Sequence, residues 1–169
     1  MHTVWVRLNG VVFFGFTVLL CLATLAAFST YLHEGTGTLN KLQLAKLRSF
    51  RTSSGTDRAL ISFDMDADLT PAFNWNIKQL FVFVVAEYAS ETNPVNQVIL
   101  WDKIIQRPED AHLKNKNVFI KYGLIDQGQE LRNNSVTLKM YWDHMPLTGR
   151  LFVDSDSKEP FVLPGEYKR

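Results

Sequence analysis

From Gly10 to Tyr31 the chain reads GVVFFGFTVLLCLATLAAFSTY, with no charged side chain and no proline. A helix of that length spans roughly 33 Å, matching a hydrocarbon layer of ~30 Å. The few polar side chains, Thr17, Cys21, Thr24, Ser29 and Thr30, can bond back to their own helix, so no polar group is stranded in lipid. A helix buried in a soluble core would show a polar edge, and none appears. A cleavable secretory signal is the other reading, with Arg7 as its basic region and Ala27-Phe28-Ser29 as a small-x-small cleavage site. Apolar regions of such signals stop at ~7–15 residues, whereas this run continues to Leu32. The pattern therefore predicts a short tail over residues 1–9 and a permanent membrane anchor over residues 10–32. Thr17, Cys21 and Thr24 share a helix face, and Ala23 and Ala27 form a small-xxx-small pair. Such a face suits a partner helix, and small residues are also common in membrane helices generally.

Beyond the anchor the period changes from a continuous apolar run to two. Residues 33–40, HEGTGTLN, form a tether with two glycines and no apolar pattern. The folded domain is expected over residues 41–169. Leu42 to Phe50 nearly alternates, Arg51 to Arg58 reads as a turn, and Ala59 to Leu69 alternates most cleanly. In that last strand Ile61, Phe63, Met65 and Ala67 share one face, and Ser62, Asp64, Asp66 and Asp68 the other. Leu80 to Tyr88, LFVFVVAEY, is apolar on both faces, which predicts a central strand covered on both sides. Gln97 to Ile105 is a further strand, closed by Arg107-Pro108 and followed by a polar loop from Glu109 to Asn117. Val118 to Ile125 and Ser135 to Trp142 resume strand character. Arg150 to Val153 and Glu159 to Leu163 are short strands around a loop from Asp154 to Lys158. Many short strands without a soluble helix predict an all-β domain, a β-sandwich hung from one N-terminal transmembrane helix.

Charge and composition narrow the function. With 18 basic and 17 acidic residues in a chain of 169 and a formal charge of +1, there is no broad basic surface of the kind nucleic acid requires. The single cysteine, Cys21, lies in the anchor, so the outer domain holds neither a disulfide nor a thiolate metal site. Lys and Arg near the anchor ends favour the carboxyl side, where Lys41, Lys46, Arg48 and Arg51 outnumber Arg7. That count opposes a cytosolic amino terminus, but the four begin well past the membrane edge and a long following domain translocates largely regardless of charge. Asn133-Asn134-Ser135 is an N-x-S acceptor, usable only in the secretory lumen.

The candidate chemistry is thin. Asp64, Asp66 and Asp68 have the D-x-D-x-D spacing of a calcium loop, yet Leu69 and Trp75 stand where that loop needs Gly and Glu. On an alternating strand the three carboxylates form a row and do not wrap an ion. Ser155 and Lys158 match S-x-x-K, without the helical turn that would stack them. Among histidines, His2 precedes the anchor, His33 lies in the tether and His112 in a loop. His144 is the remaining base, but its neighbour Asp143 points to the opposite face of a strand. No phosphate loop, H-E-x-x-H or cysteine pair is present. Trp101 and Trp142 fit core packing with a paired indole N–H, while Trp75, in a polar stretch, suits an interface anchor. Catalytic, cofactor and metal residues are all expected to be absent.

The stretch from Asn74 to Ile104 carries a further signal. Trp75-Asn76, Lys78-Gln79-Leu80-Phe81, Ala86-Glu87-Tyr88, Asn96-Gln97-Val98 and Leu100-Trp101-Asp102-Lys103-Ile104 resemble the eukaryotic signal peptidase complex subunit 3 family. So do Phe63-Asp64 and Ala67-Asp68-Leu69, and the layout of short tail, single anchor and one outer domain. The likeness covers essentially the whole chain and thins after about Asp126, where Val136-Thr137-Leu138 and Trp142 carry it. It implies a single-pass type II protein of the endoplasmic reticulum membrane, amino terminus cytosolic and β-sandwich lumenal. It also implies a non-catalytic accessory subunit without cofactor. Its partners would be a separate catalytic subunit bearing the serine nucleophile, the other subunits of the complex, and membrane lipid through the anchor. Asn133 lies near the family's glycosylation position. The alternative, from the residues alone, is a membrane-anchored β-sandwich binding or adhesion domain.

Overall fold

The computed structural model describes residues 3–30, 32 and 35–168. His2, Tyr31, His33 and Glu34, the first part of the expected tether included, lie outside the described residues. Helix α1 spans Val4–Thr30. It starts earlier than the apolar run because Val4, Trp5, Val6 and Leu8 extend the apolar surface past Arg7. The hydroxyls behave as lipid demands: Thr17 Oγ1 donates to the Phe13 carbonyl at 2.9 Å and Thr24 Oγ1 to that of Leu20 at 2.8 Å.

Among the described residues beyond α1, the main structure is antiparallel β in two sheets. The first pairs β1 (Thr38–Ser53) with β2 (Thr56–Asp68), and β2 in turn with β5 (His112–Phe119) and β6 (Leu124–Ile125). The second has the order β4 (Asn96–Ile105), β3 (Ile77–Tyr88), β7 (Ser135–Pro146), β8 (Phe152–Ser157), with β9 (Phe161–Val162) also on β7. The chain crosses between sheets after β2, β4 and β6, so the sheets face each other as a sandwich. The inward faces interdigitate Leu42, Ile61, Phe63 and Met65 with Leu80, Val84, Leu138 and Met140. Each such fully buried side chain contributes about 1.5–3 kcal/mol.

Several elements differ from expectation, each for a local reason. The Arg51–Arg58 turn shrinks to Ser54-Gly55, both at positive φ (53° and 79°), and Arg51 pairs with Arg58 inside a hairpin. The polar loop over Glu109–Asn117 is largely β5, an edge strand whose lysines and asparagines face water and guard the edge. The strand expected over Val118–Ile125 is broken, because the Lys121 and Tyr122 amides leave the ladder and donate to the Leu100 carbonyl at 2.8 and 3.0 Å. Asp154 to Ser157, read as loop, belongs to β8, again an edge strand with polar composition. Strand β8 starts at Phe152, leaving Arg150 and Leu151 in the turn that precedes it. Thr38 to Asn40, assigned to the tether, already pair with β2 through Thr38–Asp68 and Leu39–Ala67. Most consequential, β3 is covered on one face only: Phe81 and Phe83 lie half-exposed on the outer side of the second sheet.

Candidate functional site: an uncovered sheet face and the helix–sandwich junction

Antiparallel register builds the outer face of the second sheet. Phe81 sits opposite Asp143 on β7 and Ile104 on β4, Phe83 opposite Tyr141, and Val85 opposite Ile99. Phe83 stacks on Tyr141 with ring centroids 5.1 Å apart and planes at 7°, and Phe81 adjoins Phe83 at 5.3 Å. Ile99 and Ile104 on β4 and Val153 on β8 flank these rings at 46%, 52% and 52% exposure. Polar groups rim the patch: Lys139 lies 5.2 Å from the Tyr141 ring centroid, and Gln97 Nε2 donates to Glu87 Oε2 at 3.2 Å. Asp143 Oδ1, in the same face, is shut from solvent without a hydrogen-bond donor among the described residues. A contiguous aromatic and aliphatic surface with a polar rim is the composition of a protein interface. The signal for it was the apolar character of both faces of Leu80–Tyr88.

The second feature joins domain to anchor. The turn between β7 and β8 reaches back to α1, where Thr148 Oγ1 donates to the Ala23 carbonyl at 3.3 Å. Gly149, at φ 109°, packs on Ala27, so close that an added Cβ would lie 3.3 Å from the alanine methyl. The small Ala23–Ala27 face thus meets the chain's own turn. Asn76, buried before β3, holds this turn: its Nδ2 donates to the Thr148 carbonyl at 2.7 Å and its Oδ1 accepts from the Thr148 amide at 3.2 Å. Between helix and turn lies an apolar cavity of about 600 Å³, lined by Leu20, Ala23, Ala27, Ile77 and Phe152.

Asp64, Asp66 and Asp68 do form a row, each with its own protein partner. Lys41 contacts Asp64 at 3.1 Å, Lys114 contacts Asp66 at 3.6 Å, and the Thr70 amide donates to Asp68 at 3.0 Å. The Asn117 amide, and after it Lys41, lower the Asp64 pKa; the Thr70 hydroxyl and amide do the same for Asp68. Ser155 pairs with Tyr141 and shares its outer face, whereas His144 points inward, so the two are not brought together. Lys158 is paired with Asp156 at 3.1 Å and stands after a strand. His144 stacks on Phe152 at 4.1 Å and lies 3.3 Å from Asp154 Oδ2. Burial lowers its pKa, and Asp154 opposes that shift. Trp101 and Trp142 are buried as expected, but Trp142 Nε1 has no hydrogen-bond partner among the described residues, contrary to the expected pairing. Trp75 is 63% exposed. Asn133 is exposed in a turn at φ 54° just before β7.

Helix and sandwich together define a membrane-anchored, all-β protein with an open apolar sheet face. Comparison with known proteins gives the class its family. The family model described as signal peptidase subunit matches residues 1–166. Signal peptidase complex subunit 3 of Drosophila melanogaster is 36% identical, over 99% of this chain and 97% of that protein. The protein of the same name from Dictyostelium discoideum is 32% identical, over 100% and 98%, and that from Homo sapiens 35% identical, over 89% and 87%. The chain belongs to the signal peptidase subunit family.

Proposed function

We propose that the chain is a non-catalytic accessory subunit of the endoplasmic reticulum signal peptidase complex, which supports and stabilises the catalytic subunit during removal of signal peptides from nascent secretory proteins. The observation that carries this reading is the outer face of β4-β3-β7-β8: an aromatic stripe left open on an otherwise packed sandwich needs a protein partner. The catalytic subunit is the partner assigned to it. The anchor holds the sandwich at the membrane surface, so that docking presents the catalytic domain at a fixed height; support of this kind preorganises a site from outside it.

The orientation proposed is type II, with the amino-terminal tail cytosolic and the domain lumenal. Asn133 is then the glycan acceptor. Strand β7 sets its height: 12 residues at about 3.4 Å each place Ser135 roughly 37 Å from Pro146, at the end of the sandwich away from the anchor. A glycan there leaves the sheet face free.

The test is depletion followed by rescue. Wild-type chain restores the level of the catalytic partner and the processing of a secretory precursor. A double Ile99→Asp, Ile104→Asp variant does not, although both positions are about half exposed and outside the core. Full rescue by a normally expressed double variant contradicts the assignment of this face.

A further inference from the structure

We infer that the turn between β7 and β8, together with Trp75, is a lipid-binding foot that inserts into the leaflet on the domain's side of the membrane. Its level follows from α1. With Arg7 among the headgroups of the far side, ~20 residues of hydrocarbon run from Leu8 to about Ala27. Gly149 packs on Ala27, at that boundary, and Thr148 bonds the carbonyl of Ala23, roughly 6 Å further in. The turn therefore does not stand above the membrane; it reaches through its interface.

The composition of the turn matches that depth. Leu147 and Leu151 are 67% and 58% exposed, and Trp75, the residue before the Asn76 that holds the turn, is 63% exposed and carries an indole, a group favoured where apolar chains meet headgroups. The Leu147 amide donates to the Asn76 carbonyl at 2.7 Å, and the Asn76 side chain closes both backbone groups of Thr148, the residue that bonds furthest into the helix, so these polar atoms are already paired. Arg150 is exposed at the mouth of the apolar cavity, where it reaches phosphates while an acyl chain fills the space lined by Leu20, Ile77 and Phe152. The occupant is a phospholipid of that leaflet. The inference rests on α1 spanning the membrane and is independent of the accessory role proposed above.

The experiment uses the full chain in nanodiscs of palmitoyl-oleoyl phosphatidylcholine, with Cys21→Ala removing the native thiol. Leu147→Cys, Leu151→Cys and, as a distal control, the exposed position Gln127→Cys each carry an environment-sensitive fluorophore. Labels at 147 and 151 are expected to shift to the blue, to be quenched by spin-labelled acyl chains and to resist iodide, while the label at 127 is quenched by iodide alone. Iodide quenching at 147 and 151 equal to that at 127 overturns the inference. Protection that appears only in the assembled complex, and not in nanodiscs holding this chain alone, assigns the turn to a protein contact and likewise overturns it.

Discussion

Replacing Asn76 with alanine should unlatch the β7–β8 turn from the sandwich. The side chain is 1% exposed and makes two hydrogen bonds to one residue, at 2.7 Å to the Thr148 carbonyl and 3.2 Å from its amide. Alanine leaves both Thr148 groups without a partner. Each such loss costs about 1–3 kcal/mol. Thr148 is itself only half-buried, and at the low end of that range the pair contributes about 2 kcal/mol. For a domain of this size, at about 4 °C per kcal/mol, the midpoint of thermal unfolding should fall by roughly 8 °C. The assay is thermal unfolding of the full chain in detergent micelles, wild type against Asn76→Ala. A fluorophore at position 147 should also become iodide-accessible in the variant. A midpoint change below about 2 °C with position 147 still protected would refute the reasoning, since it would mean the turn is held by α1 alone.

Two further outcomes are expected. His144 is held neutral by burial, so its pKa is lower in the fold than in the unfolded chain. An unfolded state that binds more protons gains on the fold as pH falls. This contribution is therefore fully present above about 6.5, the unfolded value, and is lost as pH drops below it. Denaturation midpoints between pH 8 and 5 should decline with a slope that His144→Gln removes; an unchanged slope would refute the assignment. Asn133→Gln should abolish an endoglycosidase-sensitive mobility shift of the protein expressed in cells, and a persisting shift would place the glycan elsewhere.

Much of this architecture can be read from residue periodicity because each buried face repeats. The anchor shows as an unbroken apolar run, β2 as strict alternation, β7 as Val136, Leu138, Met140 and Trp142 on one side. Edge strands are harder, since β5 and β8 bury little and their lysines, asparagines and aspartates look like loop. The apolar outer face shows in the sequence without its cover: LFVFVVAEY says that both faces of β3 avoid water, and periodicity cannot say whether the second cover comes from the same chain or another. The junction was out of reach, because Asn76, Thr148 and Ala23 meet only through tertiary structure. Their separation in sequence leaves no period to detect.

The central claim is tested most directly by purifying tagged full-length protein in mild detergent and assaying the eluate for signal-peptide cleavage. A serine-protease subunit should co-purify. Cleavage should disappear when that partner's serine is mutated and be indifferent to Ser155→Ala in this chain. A protein recovered alone, or cleavage lost with Ser155→Ala, would contradict it.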